Sequence, residues 1–195
     1  MQPSTIGVST STAIATPEVS ACARSAARLR AVFDEHFAFI WRSLRRLGLG
    51  ADATDDAAQE VFMVAARRLD HIQLGSERAF LFGTALRIAS DARRARMRHK
   101  EWNGDDSILD LVPALTPDPE MLTDQKRARE LLDQLLERIP MELRAVFVLY
   151  EIEEMTMVEV AACLDLPSGT VASRLRRARE RFQAMVKRLN MPTTP

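Results

Sequence analysis

Residues Met155–Phe182, MTMVEVAACLDLPSGTVASRLRRARERF, decide the fold. Thr156 followed three residues later by Glu159 is a capping-box pattern, in which a hydroxyl and a carboxylate satisfy orphan backbone N–H groups, so a short helix starts there. Val160, Ala161 and Leu164 form its buried side. Asp165-Leu166-Pro167 ends it, because proline pushes its predecessor out of the helical region and Asp tolerates a left-handed turn. Ser168 is expected to cap a second helix. From Val171 its apolar residues recur at Leu175, Ala178, Phe182, Met185, Val186 and Leu189, a helical period with one face turned to a core.

The opposite face carries Thr170, Ser173, Arg176, Arg177 and Glu180, with Arg174 and Arg181 on its flank, and five arginines fall within Arg174–Arg181. In a helix-turn-helix the start of the second helix meets base edges while surrounding cations and hydroxyls hold phosphates. Arg176 and Arg177 can each grip a guanine edge bidentately, and Ser173 can bond either base type. A charge run by itself is as well explained by a solvated helix at the end of a bundle. The capping box, the turn and Ser-Gly-Thr-Val added to it favour DNA recognition.

The chain of 195 residues has zero formal net charge, which taken alone argues against a nucleic-acid binder. The distribution reverses that inference. Residues 24–100 hold 15 basic and 9 acidic side chains, residues 101–124 hold no basic and 7 acidic ones, and residues 125–195 hold 12 and 10. Two basic modules are thus separated by an acidic segment, and the sum conceals both. Cys22 and Cys163 make neither a disulfide framework nor a metal set, so a reducing cytoplasm is expected, with Cys163 as a small packing residue. No apolar run reaches the length of a membrane span, and the first 20 residues lack a secretory pattern. His36, His71 and His99 are scattered, and no nucleophile motif, acid pair or glycine-rich phosphate loop is present, so no catalytic residue, metal or cofactor is expected.

Residues 1–23 read as a disordered tail, being rich in Ser, Thr and Ala with two prolines. Phe33, Phe37, Ile40, Trp41, Leu44 and Leu47 then fall at helical spacing as a core-facing stripe ending at Gly48. A second helix opens near Asp52–Asp56, buries Ala58, Val61, Phe62, Ala65 and Leu69, and exposes Asp56, Gln59, Glu60, Met63 and Arg67. Asp70–Arg78 breaks the period as a loop. A third helix from Phe80 buries Leu81, Ala85, Ile88 and Ala92 and presents Arg87, Asp91, Arg94 and Arg98 as one stripe. Residues 101–124 read as a flexible acidic linker in which Leu109, Leu111, Val112 and Leu115 can make one short contact. Residues 125–190 are helical again, through Leu131–Ile139 and Leu143–Tyr150 to the helix-turn-helix. The fold class expected is all-α, with two small helical domains.

DDAAQEVFMVAARR (Asp55–Arg68), FLFGTALRIASDARR (Phe80–Arg94) and the string from Gly169 to Arg179 resemble regions 2.2, 2.3–2.4 and 4 of bacterial RNA polymerase sigma factors of the extracytoplasmic-function type. The resemblance covers about residues 24–190. It implies that Asp55, Asp56, Gln59, Glu60 and Met63 dock on the β′ clamp helices of core RNA polymerase, and that the β flap meets the C-terminal module. It implies that Phe80, Arg87, Arg94 and Arg98 meet promoter DNA at the −10 element, and that Asp70–Arg78 holds an extruded base of the strand that opens. It implies that Thr170, Ser173, Arg174, Arg176, Arg177 and Arg181 read the −35 element, and it raises an anti-sigma factor as a further partner. Three departures stand out: Phe80 where Trp is common, Leu86-Arg87 where Arg-Asn is common, and Asp165 where the turn usually has Gly. The alternative reading is a stand-alone helix-turn-helix regulator whose N-terminal module senses a ligand or dimerises. Co-purification with core polymerase separates the two.

Overall fold

Helix α1 (Pro17–Arg46) opens on a proline, whose fixed φ and missing N–H suit a first helical position. It therefore starts inside the stretch read as an unstructured tail. Arg45 and Arg46 complement the helix dipole in its last turn. Gly48, at φ +101°, closes it: the Gly48 N–H donates to the Arg45 carbonyl and the Leu49 N–H to the Leu44 carbonyl, the two bonds of a Schellman cap. The computed structural model describes residues 17–102 and 124–189. The apolar contact expected of Leu109, Leu111, Val112 and Leu115 lies outside them.

α2 (Ala51–Arg68) buries Ala57, Ala58, Val61, Phe62 and Ala65 as its period requires. A 3-10 turn (Leu69–His71) and α3 (Glu77–Trp102) follow. The expected loop Asp70–Arg78 is thus shorter than its composition suggests, and α3 runs two residues into the stretch read as linker. Arg28 of α1 ties this loop down. Its guanidinium donates to the carbonyls of Leu69 (2.9 Å) and Ile72 (2.6 Å) and to Glu77 Oε1 (2.8 Å), while the Gly75 N–H donates to Glu77 Oε2 (2.6 Å). The C-terminal half comprises α4 (Asp124–Glu137), α5 (Met141–Phe147) continued by a π turn (Val148–Ile152), α6 (Met157–Leu164) and α7 (Ser168–Leu189).

The stripe expected on α1 holds for Ile40, Leu44 and Leu47, but Phe33 and Phe37 remain 42% and 36% exposed. The buried face is centred on Val32, Phe39, Ile40 and Leu44, and Phe33 lies about 100° around the helix from Val32. Phe33 and Phe37 instead pack on each other and on Phe62, with Phe33 centroid separations of 4.9 Å to both.

The two halves are not separate bodies. Phe82, Ala85 and Ala89 of α3 share one continuous apolar cluster with Ala145, Val146, Val160 and Cys163. A smaller cluster, Leu136, Ile139, Leu143, Phe147, Val148 and Ala178, lies within the C-terminal half. All described residues are helix, turn or irregular chain, as the periodicity predicts.

Burial acts to raise the Glu77 pKa, but the hydrogen bonds from Arg28 and from backbone N–H groups outweigh it and hold the carboxyl below its ordinary value. A depressed carboxylate contributes stability that is fully present above the unfolded pKa and is lost as pH falls through the folded one. Glu77→Gln is therefore expected to cost about 1–2 kcal/mol at neutral pH. Urea unfolding of both proteins at pH 7 and in mild acid checks this: the difference between them narrows as the pH drops below about 4.

Candidate nucleic-acid interface

The helix-turn-helix is set by three local devices. Thr156 Oγ1 accepts from the Glu159 N–H (3.3 Å), and Glu159 Oε2 accepts from the Thr156 N–H (2.7 Å) and hydroxyl (2.8 Å), completing the capping box read from sequence. The backbone N–H and then the hydroxyl of Thr156 hold the Glu159 pKa below its ordinary value. At the other end of α6, Asp165 adopts the left-handed conformation (φ 51°, ψ 51°). The Leu166 N–H reaches the Ala161 carbonyl at 3.0 Å and the Asp165 N–H the Ala162 carbonyl at 3.4 Å, a second Schellman closure. The third device differs from expectation. Pro167, not Ser168, precedes the first turn of α7, and its carbonyl accepts from the Thr170 and Val171 N–H groups. Ser168 is the first residue of the helix itself.

Val171, Leu175 and Ala178 are buried, and Phe182 packs on Phe147 with ring centroids 5.0 Å apart, so α7 is fixed by one face. Cys163 is a buried free thiol pushed up to about 12 by burial, an unreactive packing residue as expected. Fixing α7 sorts its arginines. Arg179 is a structural residue, 2.5 Å from Glu151 and with its guanidinium over the Tyr150 ring. Arg174, Arg177 and Arg181, together with Glu180, line a cleft of about 570 Å³ beside Pro140, Glu142 and Leu143 at the start of α5. Arg176 stands apart from these three, exposed and 3.6 Å from Glu180. Sequence spacing paired Arg177 with Arg176; the structure groups it with the two flank arginines. Ser173 is exposed, with its hydroxyl donating to the Thr170 carbonyl, and Thr170 is half-buried.

On α3, Arg87, Arg94 and Arg98 are exposed on the expected stripe, with Arg94 ion-paired to Asp91. Phe80 is half-buried against the core, so only part of its ring is open. On α2, Asp55, Asp56, Gln59, Glu60 and Met63 are all exposed. Asp55 Oδ1 accepts from the Trp41 indole at 2.8 Å, which leaves Asp56 and Glu60 as the carboxylates with no such tie to α1. The exposed Phe33 and Phe37 pack on Phe62, the buried neighbour of Met63 in α2. The only sequence signal for them was three aromatics at helical spacing, which reads first as core.

Residues 129–182 match the family described as Sigma-70, region 4. The chain is 31% identical over 141 residues to the ECF RNA polymerase sigma-E factor of Escherichia coli strain K12, covering 69% of this chain and 74% of that one. It is 30% identical over 151 residues to the ECF RNA polymerase sigma factor SigE of Mycolicibacterium smegmatis, covering 76% of this chain; the match spans 58% of that relative's length. In fold it is similar to CnrH, solved in complex with the cytosolic domain of CnrY (TM-score 0.59, 23% identity, covering 85% of this chain and 94% of that one). It is also similar to the sigma factor RpoE solved with the anti-sigma factor NepR from Bartonella quintana (TM-score 0.53, 23% identity, covering 80% and 96%). The chain belongs to the extracytoplasmic-function sigma factors of RNA polymerase.

A non-glycine residue in the left-handed region carries a steric cost that glycine avoids. Asp165→Gly is expected to raise stability by about 0.5–1 kcal/mol without moving α7. Thermal melts and the circular dichroism of the two proteins check it: a lower Tm for the glycine variant would mean that the Asp165 side chain itself stabilises the turn.

Proposed function

We propose that this chain is a promoter-specificity subunit, which binds core RNA polymerase through α2 and directs initiation by reading two promoter elements with α3 and α7. The observation that carries the reading is the division of surfaces: an exposed carboxylate-amide stripe on α2, and arginine stripes on two other helices. In the upstream element Arg176 leaves Glu180 for a base edge, a low-cost exchange because exposed pairs contribute little. Arg174, Arg177 and Arg181 clamp phosphate across the cleft beside α5. In the downstream element Arg87, Arg94 and Arg98 follow the backbone, and the exposed residues His71, Gln73 and Leu74 lie where a base turned out of the stack is held.

Asp56, Gln59 and Glu60 complement a basic partner such as the β′ clamp helices, and Phe33, Phe37 and Met63 add an apolar shoulder of the kind interface cores use. The C-terminal half meets the β flap. The phosphoryl-transfer chemistry belongs to the polymerase, and the site of action is the cytoplasm. A regulator of the anti-sigma kind, such as the NepR solved with RpoE from Bartonella quintana, is the partner class this reading expects. Run-off transcription with purified core polymerase on a promoter from the same genome tests it: no transcript above core enzyme alone returns the chain to the stand-alone regulator reading.

Asp56→Arg or Glu60→Arg is expected to weaken core polymerase binding while leaving promoter DNA binding by the C-terminal half intact. Competition for core enzyme against the unaltered chain measures this, and equal competition removes the docking assignment.

Arg176→Ala is expected to relax base preference in the upstream element at a cost of about 1–3 kcal/mol. Arg174→Ala or Arg181→Ala instead weakens binding about equally on all sequences and lowers the salt slope by about one phosphate contact. Affinities for matched and scrambled sites at two salt concentrations separate the two classes.

A further inference from the structure

A further basic surface lies where the end of α1 faces the start of α4. Arg42, Arg45 and Arg46 of α1 and Lys126 and Arg129 of α4 line one cleft of about 490 Å³, against the two carboxylates of Glu130 and Asp133. Five cations facing two anions leave the cleft positive, and a concave wall of low dielectric focuses such a field. Its volume is that of a small-molecule site. None of the residues assigned above to DNA or to the carboxylate stripe of α2 lines it.

The cations are not equally committed. Arg42 holds Glu153 at 2.9 Å, and Arg45 holds the Leu49 carbonyl at 3.0 Å. Arg46 differs from both. Its side chain is only 16% exposed, its ion pair to Asp133 is 3.7 Å long, and it makes no hydrogen bond among the described residues. A guanidinium so far withdrawn from water keeps five N–H donors, and here no protein group takes them up. Asp133 is a poor counter-ion: burial, the largest influence on it, holds its carboxyl above the ordinary value although Arg45 and then Arg46 pull it down. Lys126 and Arg129 are exposed on the α4 wall and form no ion pair among the described residues.

Trp41 completes the lining. It is partly buried against the N-terminal core, and its indole N–H donates to Asp55 Oδ1 at 2.8 Å, which fixes the orientation of the ring. An aromatic ring held beside cations that lack partners is the arrangement that receives a base together with its phosphates: the ring stacks on the base, and the guanidinium and ammonium groups bond the phosphate oxygens.

We infer that the cleft between α1 and α4 binds a nucleoside polyphosphate, with its phosphates held by Arg46, Lys126 and Arg129 and its base on the Trp41 ring. Arg46 has donors enough to keep Asp133 and bond a phosphate oxygen as well. The phosphates lie between one residue of α1 and two of α4, so the ligand ties these helices together and stabilises the folded chain by mass action.

Trp41 and Trp102 are the two tryptophans of the chain, so Trp102→Phe leaves Trp41 as the one indole reporter. ATP added to this full-length variant is expected to quench the Trp41 emission saturably and to raise the Tm as the site fills. Inorganic tripolyphosphate, which lacks the base, is expected to compete at least about fivefold less well, the low end of what one stacked base contributes. Arg46→Ala raises the half-saturating ATP concentration about tenfold, the loss of one charge-assisted bond. Arg129→Ala, nearer solvent, raises it about threefold. Arg67→Ala, which removes an exposed cation at the end of α2, leaves it unchanged. Should Arg46→Ala lower the Tm without ligand, Arg129→Ala decides by itself. The absence of a saturable quench overturns the inference, and so does an Arg67→Ala shift as large as that of Arg129→Ala, which is general attraction of a polyanion. Tripolyphosphate competing as well as ATP overturns the assignment of the base to Trp41 and with it the ligand class.

Discussion

Helix α3 has to satisfy three neighbours at once, and the rest of the structure depends on how it does so. It packs against α1 and α2 through Leu81 and Phe82, and against α6 on another side. Over residues 80–90 it leaves only Arg87 of its arginine stripe open to solvent, while residues 93–98, Arg94 and Arg98 among them, are exposed on every side. The small residues Ala85 and Ala89 let neighbouring helices approach closely without displacing that stripe. The loop before α3 is pinned by Arg28 and Glu77, so the angle at which α3 leaves the N-terminal bundle is fixed by hydrogen bonds as well as by packing.

The number of arginines matters less than what each one faces. Arg28, Arg144 and Arg179 are committed to carbonyls or carboxylates inside the fold, and Arg42, Arg45 and Arg46 of α1 to acids of the C-terminal half. Among those left to an external polyanion are Arg87 and Arg98 on α3, the cleft residues Arg174, Arg177 and Arg181, and Arg94 and Arg176, which hold exposed partners of little cost. Zero net charge is thus compatible with concentrated positive faces, because seven of the acids fall in residues 101–124, which hold no base, and others lie on α2 or pair with arginines of α1.

The π turn Val148–Ile152 shows how a local irregularity serves both halves. A widened turn at the end of α5 shifts the register of the residues after it. Glu151 then reaches Arg179 on α7 while Glu153 reaches Arg42 on α1, and Glu154 takes up a positive φ of 53° to start the chain toward α6. The same few residues hold the recognition helix in place and tie it to the other half.

The capping box at Thr156, the left-handed Asp165, the buried stripe of α7 and the exposed stripes of α2 and α3 were legible from sequence, since each depends on residues within a turn or two of one another. The family pattern was legible for the same reason. What lay beyond it depends on contacts between residues far apart in the chain. Periodicity placed Phe33 and Phe37 on a buried face, yet which side of α1 is covered depends on where α2 and α3 cross it. Spacing joined Arg177 to Arg176, but the start of α5 draws it to Arg174 and Arg181. Periodicity gave no signal at Arg144; only the meeting of α5 with the end of α1, 97 residues earlier, buries it against the Leu47 carbonyl. Local sequence determined the helices and the faces they carry, because capping and periodicity are short-range. Tertiary structure decided which faces are covered, because burial and desolvation depend on what comes to lie against them.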